Sequence, residues 1–506
     1  MTTSLPSICI TLAALICIQT RLSAQPAAAV LPVDREPDII RKAANIVPSP
    51  RQLHWQQLEL TAFFHFGINT FTDREWGDGK EDLSRFNPAG LDARQWVRTA
   101  KDAGIRQIIL TAKHHDGFCL WPSKYTEHTI RNTPYKGGHG DIVKEVADAC
   151  REYHIGFGVY LSPWDRNSPV YGDSAKYNAL FLHWLTELLT QYGKVDEVWF
   201  DGANGEGPNG KKQVYAFETW YHLIRKLQPQ AVIAIMGPDV RWVGTESGEG
   251  RLTEWSVLPI NARAQESIAA NSQTDMTFAT LGDLMDQDIG SREKLLTAKG
   301  FIWYPAETDV SIRPGWFYHP AEDAKVRTPK QLMDIYFSSV GRNSVLLLNI
   351  PPGTNGLING ADVRSLTQWK RDLDKSFRIN LAAGARIRCD NGRDNPALLD
   401  GKPATNWTTT GKDTTAAIEF ALDGTKSFDV LLLQENIRIG QRVEKFALES
   451  WDETGNSWRP VAEGTTIGYK RLLRFPVVTT NKVRLRILSS RLNPTLAEFG
   501  LYKMAE

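Results

Sequence analysis

An α/β barrel, (β/α)8-like, followed by an all-β antiparallel sandwich is the fold class this sequence predicts. Two patterns carry the prediction. From about Leu60 to Pro352 short apolar runs alternate with amphipathic stretches of helical period, and strand-then-helix units repeated roughly eight times close a parallel sheet behind a shell of helices. From Arg378 onward the runs are short, alternate apolar with polar, and are parted by frequent turns, the patterning of a sandwich. A chain of 506 residues also exceeds what one hydrophobic core can serve, so more than one domain is required.

The elements follow in order. Residues 1–24 read as a signal peptide: Leu12 to Ile18 is apolar and Leu22-Ser23-Ala24-Gln25 offers a small residue before a cut, although no Lys or Arg precedes the run. Export to the periplasm or the cell exterior is the expectation. Barrel strands are expected at Thr61–Phe66, Gln107–Thr111, Gly156–Leu161, Glu197–Phe200, Ala231–Ile235, Thr253–Val257, Phe301–Tyr304 and Ser344–Leu348. Helices are expected at Asp92–Ala103, Asp141–Tyr153, Tyr177–Tyr192, Val214–Leu227 and Pro329–Val340. The polar stretch Leu258 to Ser291 reads as a loop over the barrel mouth. The catalytic domain is placed at 33–352, a connecting helix at 353–377 and the sandwich at 378–506.

Composition excludes some functions. The net charge is +1 with no block of like charge, so neither nucleic acid nor a membrane is an expected partner. Sixteen Trp suit cores and the faces of sugar rings alike. Leaving aside Cys9 and Cys17 of the leader, Cys119, Cys150 and Cys389 imply no disulfide framework.

Reactive groups of such a barrel stand just past the carboxyl ends of its strands. There the sequence sets His65-Phe66-Gly67, Glu75-Trp76, Lys113-His114-His115-Asp116-Gly117, Tyr160, Trp164-Asp165, Asp201-Gly202, Glu246, and Glu307, Asp309 and Trp316. An apolar strand ending in Asp201-Gly202 presents a carboxylate at the mouth, while an Asp opening a turn is the competing reading. His114-His115 lacks a third ligand at zinc spacing, so hydrogen bonding is favoured over metal. No metal and no cofactor are expected.

The segments His65-Phe66-Gly67, Glu75-Trp76, Lys113 to Phe118, Trp199-Phe200-Asp201-Gly202 and Glu307-Thr308-Asp309 through Arg313-Pro314-Gly315-Trp316-Phe317 resemble glycoside hydrolase family 29, the α-L-fucosidases. Ser162 to Arg166, Ile235 to Gly244 and Asp309 to Arg313 are more similar to the branch that cleaves α-1,3/1,4-linked fucose. The resemblance implies a retaining double displacement on fucosylated oligosaccharides or glycoconjugates. Asp201 would be nucleophile and Glu246 acid/base, with Glu249 and Glu254 as rival candidates. His65, Glu75, His114, His115 and Tyr160 would hold the sugar hydroxyls, and Trp76 and Trp316 its ring and methyl group. Trp164 and Asp165 would face the aglycone. A broad-specificity fucosidase, a non-catalytic fucose lectin and a related barrel of other sugar specificity are the alternatives. Asn380-Leu381-Ala382, Leu399-Asp400-Gly401 and Thr405-Asn406-Trp407 make the C-terminal region similar to a discoidin-type sandwich, expected to brace the barrel or, as the second reading, to bind carbohydrate.

Overall fold

The structure, a computed structural model, describes residues 27–260, 286–393 and 395–505. The expected leader and most of the expected mouth loop at Leu258–Ser291 lie outside the described residues.

Eight parallel strands form the catalytic domain: β1 (Leu60–Phe64), β2 (Gln107–Lys113), β3 (Gly156–Leu161), β4 (Glu197–Phe200), β5 (Val232–Ile235), β6 (Arg241–Trp242), β7 (Ala306–Ser311) and β8 (Ser344–Asn349). They pair in the order β5-β4-β3-β2-β1-β8-β7-β6. Alternate residues divide between two cores. Phe63, Ile109, Tyr160, Trp199 and Leu347 fill the barrel interior, while Phe64, Leu110, Val159, Phe200 and Leu348 pack outward against the helices. Burial on both faces is why these strands read as continuous apolar runs.

The outer helices are α1 (Ala93–Asp102), α2 (Ile142–Tyr153), α3 (Ser174–Gln191), α4 (Phe217–Leu227) and α5 (Pro329–Ser338). Asp92, Asp141 and Asp173 cap the first three by accepting the backbone N–H of Gln95, Lys144 and Lys176. Those caps satisfy donors that have no partner within the helix.

The barrel is not closed by strand pairing between β5 and β6. A side chain fills the seam. Asp239 is fully buried and accepts from the Ile233 backbone N–H at 2.9 Å and from Arg51 Nε at 3.0 Å, with Arg225 as a further ion-pair partner. The carboxylate thus takes the edge donor that a neighbouring strand would otherwise accept.

The sixth and seventh strands correct the sequence reading. Expected at Thr253–Val257 and Phe301–Tyr304, they lie instead at Arg241–Trp242 and Ala306–Ser311. Gly300–Trp303 pairs antiparallel with Val257–Pro259 on one side and with Ala27–Ala29 on the other in a small separate sheet. Apolar density misled because that sheet buries its own core of Val257, Phe301 and Trp303, whereas β6 is short and β7 carries Glu307 and Asp309 inward.

Helix α6 (Gly360–Phe377) leads to the antiparallel sandwich. Its strands are β9 (Arg386–Cys389), β10 (Trp407–Thr408), β11 (Ala416–Glu435), β12 (Val443–Asp452), β13 (Ser457–Gly464), β14 (Arg471–Ser490) and β15 (Thr495–Tyr502). They pair as β10-β15-β11-β14-β12-β13, with β9 on β11. The sandwich docks closely on the barrel. Lys470 Nζ lies 2.6 Å from the Glu59 carboxylate, Arg474 pairs with Asp334 and covers the Phe337 ring, and Tyr502 packs on Phe377. Gln441, fully buried, accepts the Ser256 backbone N–H at 2.7 Å and donates to the Glu254 carbonyl at 3.0 Å.

Replacing Gln441 by Leu strands the Ser256 N–H inside the interface, while the Glu254 carbonyl keeps the Asn343 amide as donor at 3.2 Å. The expected loss is on the order of 2 kcal/mol of stability, read as a lower denaturant midpoint of the full chain. An unchanged midpoint would show that water replaces the amide and that this contact braces nothing.

Candidate active site

At the mouth of the barrel, Asp201 leaves the buried strand β4 at its carboxyl end. It accepts the Tyr160 hydroxyl at 3.1 Å and the Ala203 backbone N–H at 2.7 Å. Both donors favour the anion. Burial opposes them and leaves the pKa above the ordinary aspartate value.

Glu246 reaches the same pocket from the segment after β6, where Gly244 at φ 112° turns the chain. The Trp316 indole N–H donates to it at 3.2 Å. Burial pushes its pKa up to about 7, and the charges of Asp201 and Glu75 add to the rise. The Trp242 indole N–H donates to Asp309 at 2.9 Å. Of the rival acids, Glu249 is exposed, and Glu254 is buried in ion pairs with Arg241 and Arg251. Glu246 alone of the three lines the pocket.

His65, His114 and His115 line it as well. Burial holds all three neutral: His65 falls to about 3, and the other two lie well below the usual histidine value. Their proton positions follow from their partners. Asn349 gives its amide hydrogens to Ser311 Oγ and the Trp316 carbonyl, so its Oδ1 accepts from His65 Nδ1 at 2.9 Å. Ser162 donates to the Trp164 carbonyl and accepts from His115 Nδ1 at 2.7 Å. Each ring therefore carries its hydrogen on Nδ1 and keeps a bare Nε2 acceptor. Gly117 secures this turn: at φ +86° its missing Cβ would lie 2.6 Å from the Asp165 carboxylate.

Tyr160 stacks on Trp199, and His114 stacks on Tyr160. Trp316 leans on His65 at 5.1 Å and meets Phe63 edge to face. Trp76 is 48% exposed at the rim, set edge-on to His115 and Trp164. Of the residues expected to hold the sugar, Glu75 alone does not line the pocket. Its carboxylate accepts the backbone N–H groups of Trp316 and Phe317 at 2.8 and 3.1 Å and faces His319 Nε2 at 2.6 Å. Glu75 therefore holds the loop that holds Trp316.

Asp165 does not face an aglycone. It is 1% exposed, 3.2 Å from Lys113 Nζ, and accepts the backbone N–H groups of Asn167 and Ser168. Among the described residues, no group of three or more His, Cys, Asp or Glu is placed to hold a metal ion.

Phe63 and Trp199 line the pocket but were not singled out as site residues by the sequence, and Asp309, placed there after the seventh strand, was given no role. Glu307 and Asp309 alternate along β7, the spacing that puts both on one strand face. That polar period of two was the available signal. Glu307 accepts the Trp199 indole N–H at 2.7 Å, and burial holds both acids well above the carboxylate range.

Comparison with known proteins agrees with this geometry. Residues 52–371 match the α-L-fucosidase family model, and residues 387–499 match the F5/8 type C domain. The chain is 42% identical over 465 residues to α-L-fucosidase 1 of Arabidopsis thaliana, covering 90% of this chain and 87% of that protein. A Ruminococcus gnavus fucosidase of glycoside hydrolase family 29, crystallised with fucose, superposes with a TM-score of 0.80 at 30% identity, covering 96% and 98% of the two chains. A family 29 glycoside hydrolase from an unknown rumen bacterium gives 0.75 at 40% identity, over 91% and 78%. With Asp201 and Glu246 in one pocket at the barrel mouth and a family match over most of its length, the chain belongs to the α-L-fucosidases, a glycoside hydrolase family, and carries an F5/8 type C domain after the barrel.

Proposed function

We propose that the protein is an exo-acting, retaining α-L-fucosidase that removes α-1,3/1,4-linked fucose from Lewis-type glycans outside the cytoplasm. One observation carries the mechanism: a single pocket sets Asp201 among hydrogen-bond donors and Glu246 in surroundings that keep it protonated to about pH 7. Two carboxyl groups with opposed environments are the acid/base assignment of a glycosidase. Asp201 attacks the anomeric carbon while Glu246 protonates the departing glycosidic oxygen. Glu246, now ionised, then takes a proton from the water that releases fucose from Asp201. The bare Nε2 atoms of His65 and His115 accept sugar hydroxyl hydrogens, and Trp316 gives the pocket its apolar wall. A lectin would need no acid tuned in this way. The linkage preference rests on the segments after β3, β5 and β7, and export on the leader. The F5/8 type C domain acts as a brace, in keeping with its buried polar contacts to the barrel.

Replacing Asp201 by Ala should slow all substrates by orders of magnitude and let azide yield β-fucosyl azide. Glu246→Ala should spare the first step on an aryl fucoside and yield the α-azide from the covalent intermediate. The α product from a Glu249 or Glu254 variant, with Glu246→Ala near normal on a Lewis glycan, would reassign the acid.

A raised acid is competent below its pKa and fails as pH climbs through it. On a natural glycan kcat/KM should therefore fall above about pH 7. Glu246→Gln should lose that alkaline limb along with most of the activity, and an unaltered limb would place the proton donor elsewhere.

In a hydrolysis panel, a Lewis trisaccharide should be cleaved faster than α-1,2-fucosylated lactose. Equal or faster turnover of the α-1,2 substrate would make the enzyme a broad-specificity fucosidase.

A further inference from the structure

A second opening lies on the same face of the barrel as the fucose pocket. It is a cavity of about 1110 Å³ lined by residues 79–83, 124–128 and 167–170 and by one side of α3. The three loops follow β1, β2 and β3, so the cavity opens at the carboxyl end of the sheet, where barrel enzymes meet their ligands. Among the described residues, none lines both openings. The partition between them is the Trp76 to Gly79 loop, tied down by Asn167 Nδ2 donating to the Gly79 carbonyl at 2.7 Å and by Arg166 donating to Gly77.

Three features give this cavity a chemistry. Tyr125 is 44% exposed and stacks on His183 with ring centres 4.4 Å apart and planes 11° from parallel. One face of the phenol is thus fixed against α3, and the ring is a rigid apolar platform of the kind that packs on a sugar. In the same wall, Ser168 Oγ is buried and, among the described residues, has no hydrogen-bond partner.

Charge supplies the third. The acids of the lining are already engaged: Glu81 accepts the backbone N–H groups of Asp78 and Gly79 and faces His128, and Glu127 pairs with Arg131. Lys176 pairs with Asp173. Lys80 and Lys124, both exposed, have no ion-pair partner among the described residues. Two ammonium groups beside an aromatic platform are complementary to a sugar that carries an anion.

We propose that this cavity is a second saccharide site, selective for an acidic sugar bearing a carboxylate or a sulfate. Tyr125 packs on the ring while Lys80 and Lys124 take the anion. The site stands apart from Asp201 and Glu246, so it is tested with sugars that contain no fucose, and hydrolysis of an aryl fucoside in parallel reports separately on the fucosidase reading.

The test is calorimetric titration of the full chain with sialyllactose, sulfated lactose and plain lactose. Either acidic sugar should bind more tightly than lactose, and the pair tells carboxylate from sulfate. Exchanging Lys80 and Lys124 for Ser should weaken acidic-sugar binding by roughly fivefold to tenfold, the scale of two exposed charge pairs. Tyr125→Ala should weaken the acidic sugars and lactose together. Aryl fucoside hydrolysis should be unchanged in both variants. Lactose binding as tightly as the acidic sugars, or acidic-sugar binding untouched by the Lys80/Lys124 exchange, would overturn the proposal.

Discussion

Burying carboxyl groups without a cation beside them is the constraint on which this site depends. Asp201, Glu246 and Asp309 share a pocket that, among the described residues, no Lys or Arg lines. The nearby buried cations are all committed: Lys113 to Asp165, Arg241 and Arg251 to Glu254, and Arg313 to Asp362. An uncompensated buried charge costs several kcal/mol, so the acids either collect donors, as Asp201 does, or keep their protons, as Glu246 and Asp309 do. Moving a single lysine into this wall would erase the difference between them.

Around that electrostatic core, positioning is delegated to amides and indoles. Trp316 is held at three points: its backbone N–H by Glu75, its carbonyl by Asn349, and its indole by Glu246. Asn349 also orients His65. The loops after β1 and β7 and the end of β8 thereby converge on one ring, which touches both Glu246 and His65. A change at Glu75 reaches Glu246 through Trp316, even though Glu75 itself stands outside the pocket.

Much of this was legible in the sequence because the barrel obeys a simple rule: apolar strands run to their carboxyl ends and polar residues follow. Asp201, the three histidines and Tyr160 were found by that rule. It failed for β6 and β7. Two residues carry no period, and β7 turns acids inward, so the denser apolar runs of the small antiparallel sheet stood in for them. Asp309 was placed at the barrel mouth but given no role. Glu75 was expected as a sugar ligand from the family resemblance, since sequence cannot separate a side chain that meets the pocket from one that steadies its wall. The proton positions on His65 and His115 were not legible at all, because Asn349 and Ser162, which set them, are distant in the chain.

The seam filled by Asp239 bears on how this barrel can be rebuilt. Asp201 stands on a strand that is paired on both sides, so one inserted residue upstream would rotate it out of the pocket. Glu246 follows a two-residue strand paired only with β7, beside a gap that a side chain closes. The segment that carries it can lengthen or shorten without breaking a ladder of hydrogen bonds. On the proposed roles, the nucleophile is thus a fixed point of the scaffold, whereas the proton donor is a replaceable part, and new leaving-group preferences are most readily engineered by grafting alternative segments between Trp242 and Glu254.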